Sequence, residues 1–234
     1  MNRQRFATPF MWSVIMAGSA VCIYSALRLP FARFDLLFLL LVVATVITSH
    51  ITVPVPGVNG RITVSETFIF LAMLLYGGEA AILLAAIDGF CSSRLISRKP
   101  LTLAYNAAQL AFSTFVTVLV LRLFFGDVVN LAHGDFSVNF ILAVCIMGLV
   151  QHVCNSFLAA AAQALKHDQP VWRVWISYCL WPSITYFAGA SVAVITAKLV
   201  GMFGPYAIIA TTPIIGSIYL TYRTYLKNIQ VMAG

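Results

Sequence analysis

Hydrophobic positions in this chain do not alternate with polar ones; they run on. The stretch 35–47, DLLFLLLVVATVI, is a near-continuous apolar block behind one leading aspartate, and comparable blocks recur along the chain. Membrane strands would need a period of two. Continuous apolar runs of this kind read as helices, whose backbone groups are satisfied within the segment. The pattern predicts helices over 9–27, 33–50, 65–76, 79–93, 100–125, 136–165, 171–200 and 204–225. Pro9 and Pro100 stand at first-turn positions that tolerate proline, and Pro182 predicts a kink.

Between the second and third helices lies ITVPVPGVNGRITV, residues 51–64. β-Branched residues around a Pro-Gly-Val-Asn-Gly turn predict a strand–turn–strand or extended loop. The helices at 65–76 and 79–93 fall short of the roughly 20 residues a full span needs. Joined at Gly77-Gly78, they predict a short hairpin that crosses incompletely. The segments 94–99 and 126–135 read as loops, one basic and one polar, and 166–170 as a break. No internal repeat or soluble domain is visible. The fold class expected is an all-α polytopic membrane protein, one bundle over 1–234 with eight helical segments and one extended loop at 51–64.

Composition agrees. Of 234 residues, 61% are hydrophobic and only 9% charged, and the mean hydropathy is +0.95. Soluble domains carry roughly 25% charged residues. An ordinary cytosolic enzyme, a disordered chain and a small disulfide scaffold are therefore excluded. Arg3, Arg5 and the first apolar run mimic a secretory signal. Arg28-Leu29-Pro30 follows the run instead of a small-residue cleavage site, so it reads as a retained helix. Cys22, Cys91, Cys145, Cys154 and Cys179 all lie in or beside apolar runs without a CxxC, and read as packing residues.

The net charge of +7 changes the picture further. No basic run exceeds Arg98-Lys99, so nucleic acid is not the expected partner. The excess reads as topology signal and as contact with the lipid bilayer's anionic headgroups. With the N-terminus inside and eight crossings, one side collects Arg3, Arg5, Arg61, Arg94, Arg98, Lys99, Lys166, Arg173, Arg223 and Lys227. The other collects Arg28, Arg33, Arg122 and Lys198. This places both termini in the cytoplasm of a bacterial inner-membrane protein.

Polar side chains at membrane depth are the natural site candidates. The predicted helices carry Glu66 at a helix start, Asp88, Asn106 with Gln109 three residues on, and Gln151, His152 and Asn155. Trp181, Ser183, Thr185 and Tyr186 surround Pro182. The seven residues Glu66, Asp88, Asn106, Gln109, Gln151, His152 and Asn155 are the ligand-binding candidates, converging on one polar pocket. The competing reading makes the amides glue between helices, pairs Asp88 with Arg94, and leaves His152 as a hydrogen-bonded core histidine. Trp172, Trp175 and Tyr219 read as interface anchors, and His50 as interfacial. Gly77-Gly78-Glu79 and His167-Asp168 echo cyclase and phosphohydrolase dipeptides but lack any surrounding constellation. No catalytic residue, metal site or cofactor is expected, and the chain does not read as an enzyme.

The segment 58–109, VNGRITVSETFIFLAMLLYGGEAAILLAAIDGFCSSRLISRKPLTLAYNAAQ, resembles the N-terminal transmembrane sensory regions of bacterial HD-GYP and GGDEF signalling proteins. The shared order is an extended polar loop, a Ser-led short helix, a Gly turn, a second short helix, a basic loop and an Asn-containing helix. TYRTYLKNIQ at 221–230 is similar to the exit from their last helix. The hairpin is also loosely similar to the S components of energy-coupling-factor transporters. The resemblance carries over no individual ligand residue. Because no output domain follows, it implies a stand-alone relative, one whose output a partner supplies, or a longer chain. The expected function is a sensory or ligand-binding membrane module that binds a small molecule and acts through a cytoplasmic protein. The alternative is a small-molecule transporter or S-component-like uptake subunit with an energising partner.

Overall fold

The computed structural model describes residues 4–29, 35–54, 61–63, 65–95, 97–133, 137–208, 216–217, 220–221 and 224. The elements follow the chain as α1 (Gln4–Arg28), α2 (Leu36–Ser49), β1 (Thr52–Pro54), β2 (Arg61–Thr63), α3 (Glu66–Tyr76), α4 (Gly78–Ser93), α5 (Pro100–Phe125), α6 (Val128–His133), α7 (Val138–Lys166) and α8 (Val171–Phe203). A 3-10 turn, Gly204–Tyr206, closes α8. The last predicted helix, 204–225, lies largely outside the described residues.

Local chemistry sets the helix ends. Asp35 and Ser137 cap α2 and α7, each accepting the backbone N–H of the residue three positions on, at 3.0 Å from Phe38 and 3.2 Å from Phe140. Gly77 turns α3 into α4 with φ 95°, a conformation that disfavours any side chain. Within 51–64, Thr52–Pro54 and Arg61–Thr63 pair antiparallel as expected, with Thr52 opposite Thr63 and Pro54 opposite Arg61; the turn at 55–60 lies outside the described residues. One prediction is corrected: the segment 126–135 is not simply a loop, since α6 occupies Val128–His133. Its polar residues masked a short helix whose Val128 and Ala132 are buried in the core.

Four segments are long and apolar enough to cross a membrane: Gln4–Arg28, Pro100–Phe125, Val138–Lys166 and Ser183–Phe203. The chain is a multi-pass membrane protein. α3 is different in kind. Every residue from Glu66 to Leu74 is buried, so it is enclosed by protein on all sides rather than by lipid. Phe70, Ile69, Leu71, Met73 and Leu74 join Leu84 of α4, Leu121 of α5, Met147 of α7 and Ala193 of α8 in the main core.

Close helix approach comes from small residues. A Cβ on Gly18 would lie 2.4 Å from the Ala108 carbonyl oxygen, and one on Gly89 would lie 2.5 Å from that of Asn106. A Cβ on Gly189 would lie 3.1 Å from the Thr67 hydroxyl. Glycine thus sets the α1–α5, α4–α5 and α3–α8 seams, as small residues do in membrane bundles generally.

Two ends can be told apart. At the Gly77 end, Tyr76 of α3 meets Asp35 before α2, and Arg122 near the end of α5 meets Glu79 of α4. Lys198 lies over the Phe140 ring there, 5.0 Å from its centroid. At the opposite end, nearer the β-hairpin, the ring of Phe10 in α1 stands 6.4 Å from that of Tyr105 in α5. Trp175 of α8 donates to Ser156 of α7 at 3.0 Å.

Candidate functional site

The depth of α3 follows from its neighbours. Gly89, beside Asp88 in α4, abuts the backbone of Asn106, six residues into α5. At helical rise that is about 9 Å from the start of α5. Thr67, at the first turn of α3, abuts Gly189, in the interior of α8. These contacts set the N-terminus of α3 against the interiors of α5 and α8 and not against their ends. A helix that starts at this depth, fed by a β-hairpin, is tolerated only where protein surrounds it or a polar cavity is lined.

Two carboxylates meet there. Asp88 is 1% exposed and accepts the Ser65 hydroxyl. Its Oδ1 has no hydrogen-bond partner. Glu66, 7% exposed, follows Ser65 directly and accepts from the Tyr186 hydroxyl of α8. Arg94 does not answer Asp88; its guanidinium lies over the Phe90 ring, 5.8 Å from the centroid.

From Glu66 a chain of hydrogen bonds runs through three more helices. Tyr186 accepts from Asn155 Nδ2 of α7 at 2.6 Å. Asn155 in turn accepts from Gln109 Nε2 of α5, at 2.8 Å on its side-chain oxygen and 3.0 Å on its carbonyl. One turn deeper, Gln151 accepts from Thr117 at 2.8 Å and donates to Thr114 at 3.0 Å. The His152 ring stands against Tyr186, with centroids 5.3 Å apart.

The structure thus brings together six of the seven candidates. Glu66, Gln109 and Asn155 belong to one chain through Tyr186, Asp88 and His152 flank it, and Gln151 sits beside it. Asn106 stands apart: it is half-buried on the α4 seam and makes none of these bonds. Tyr186 is the linking residue, and Ser65, Thr114 and Thr117 complete the set. Tyr186 was visible in the sequence only as one of several polar residues near Pro182. The side chains of Trp181 and Pro182 lie outside the described residues. Among the described residues, no group of three or more His, Cys, Asp or Glu side chains could hold a metal ion.

The fold and this interior define a multi-pass helical membrane protein with a polar centre. No protein-family model matches the chain, and neither a curated protein nor a solved structure matches it.

Proposed function

We propose that the protein is a ligand-binding membrane module of the sensory type, in which a small molecule at the α3–α4–α8 centre changes how the helices are held. The observation that carries this reading is the hydrogen-bonded chain Gln109–Asn155–Tyr186–Glu66 beside the sealed carboxylate of Asp88. It ties α5, α7, α8 and α3 through single side chains, so a group that engages one carboxylate acts on all four helices. Coupling of this kind needs a ligand that favours one arrangement over another.

The arrangement of basic residues supports an orientation with the hairpin end in the cytoplasm. Among the described residues Arg5, Arg94, Arg98, Lys99, Lys166 and Arg173 lie toward that end, and Arg28, Arg122 and Lys198 toward the Gly77 end. That excess is the positive-inside signal, and it faces the site toward a cytoplasmic protein partner. The resemblance to the membrane regions of HD-GYP and GGDEF proteins points the same way.

A small-molecule carrier is the second reading, favoured by the short helix that begins against the interiors of α5 and α8, a feature of transporter sites. Reconstitution into proteoliposomes separates the two. A sensory module shows ligand-dependent thermal stabilisation that Asp88→Asn abolishes, with no solute flux. Accumulation of solute, alone or with an energising ATPase, establishes the carrier. Stabilisation by no solute class removes both.

A further inference from the structure

We infer that the site takes a compact monovalent cation, an alkali ion or a protonated primary amine, with Asp88 as its anchor and Ser65 and Glu66 as its flanking oxygens. The inference rests on the ligand-binding reading and gives that ligand its charge and size.

Asp88 lies beside Gly89, which abuts α5 about 9 Å from its start, and is 1% exposed. One of its oxygens takes the Ser65 hydroxyl; the other takes nothing. An unmatched carboxylate at such depth costs several kcal/mol unless a proton or a counter-charge accompanies it. Asp88 is also turned toward the seam of α3 and α8, since it bonds Ser65 and lies near the Tyr186 phenol. Glu66 acts on the same phenol from α3. Two negative groups from adjacent helices therefore converge on one hydroxyl.

The described partner of Asp88 is an oxygen, the Ser65 hydroxyl. Arg94, the cation nearest Asp88 along α4, is spent on the Phe90 face. Tyr186 donates its proton to Glu66 and receives one from Asn155, so its place in the chain is filled. The open coordination falls to Asp88 Oδ1. Carboxylate and hydroxyl oxygens suit hard cations, and an ammonium group satisfies the same oxygens through its three donors. A divalent metal is not favoured, because no cluster of three ligating side chains occurs among the described residues.

The full chain in lipid nanodiscs provides the test, with thermal unfolding followed while sodium, potassium or methylammonium chloride replaces N-methylglucamine chloride at constant ionic strength. A ligand that binds only the folded state raises the melting temperature with its logarithm. At least one compact cation should give a saturable rise, and which one does so distinguishes alkali ion from amine. Asp88→Asn should abolish the rise while leaving the protein folded in N-methylglucamine. Ser65→Ala, which keeps both carboxylates, should weaken the apparent affinity several-fold. Glu66→Gln should weaken it tenfold or more.

A wild-type protein indifferent to the cation overturns the inference, as does an equal rise in Asp88→Asn. If a cation of the protein itself already neutralises Asp88, no added cation shifts the wild type and Asp88→Asn melts lower in every salt, which also overturns it. Should an uncharged solute stabilise the wild type but not Asp88→Asn, the cation inference fails and the ligand-binding reading stands.

Discussion

The two ends of the bundle treat charge in opposite ways. At the Gly77 end, charges are matched near the surface: Arg122 donates to Glu79 at 2.8 Å, and the Asp35 carboxylate accepts from Tyr76 while capping α2. Toward the hairpin end, six described basic residues lie along the outside, while Asp88 and Glu66 are sealed within, among hydroxyls and amides. One end holds helix tips together. The other seals two carboxyl groups inside, one of them with an open oxygen on Asp88, and that is where a ligand does most.

The largest effect is expected at the glycines that set the seams. A Cβ on Gly89 would meet the Asn106 carbonyl oxygen at 2.5 Å and the Ala107 Cα at 3.0 Å, which are backbone atoms that cannot step aside. On Gly78, at the other end of the same helix, it would meet Val118 Cγ1 at 2.3 Å, a side chain with some freedom to turn. Overpacking typically costs about 1–3 kcal/mol. Gly89→Ala should fall at or above the top of that range and Gly78→Ala lower, read as melting temperatures in nanodiscs. Gly201→Ala, with nothing within 4 Å, serves as the neutral reference. Equal losses at Gly89 and Gly78 would mean that α4 shifts as a rigid rod and that the polar centre is not held by the Gly89 contact.

Next comes the chain itself. Asn155→Ala removes the side-chain bonds to Gln109 and Tyr186, although Gln109 keeps the Asn155 carbonyl at 3.0 Å. Interhelical hydrogen bonds in membranes average about 0.6 kcal/mol, so the expected loss is about 1 kcal/mol. A double-mutant cycle of Asn155→Ala with Tyr186→Phe should show coupling, whereas one with Thr117→Val, whose bond goes to Gln151, should be additive. Coupling to both would make the interior one network rather than two.

How much of this was legible in the sequence follows the same division. Apolar runs gave the long helices to within a few residues, because lipid imposes a length and a continuous pattern. Six of the seven polar candidates meet because polar residues are so scarce in apolar helices that each has few places to go. Three features were not legible. α6 is too short for a period to show. Tyr186 reads equally well as an interface anchor until α8 is placed beside Glu66. The free oxygen of Asp88 depends on where Arg94 points, and sequence proximity to Arg94 suggested a pair that does not form.

A smaller effect is expected at Asp35. Its slight burial pushes the carboxyl up, but the Tyr76 hydroxyl and the backbone N–H groups of Phe38 and Leu37 hold it below the usual carboxylate range. A group held low in the folded state contributes stability above its unfolded value of about 4, and that contribution is lost as the pH falls through its folded value. Stability should therefore fall as the medium is taken from about pH 6 to about pH 3, and Asp35→Asn should flatten that slope. Asparagine also caps helices well, so the cap itself should survive. An unchanged slope would assign the acid sensitivity elsewhere.

The smallest effect is at Glu79 and Arg122, and it sharpens the comparison most. The arginine side chain is 43% exposed and the glutamate 18%. Exposed pairs of this kind are worth about 0.2–1 kcal/mol, and salt screens them. The coupling in a Glu79→Gln/Arg122→Gln cycle should shrink as ionic strength rises, whichever cation supplies it. The Asp88 site should behave in the opposite manner, indifferent to ionic strength and sensitive to the identity of the cation. If the Glu79–Arg122 coupling also depended on which cation was present, the two ends would not differ in kind, and the interior would lose its claim to be the site.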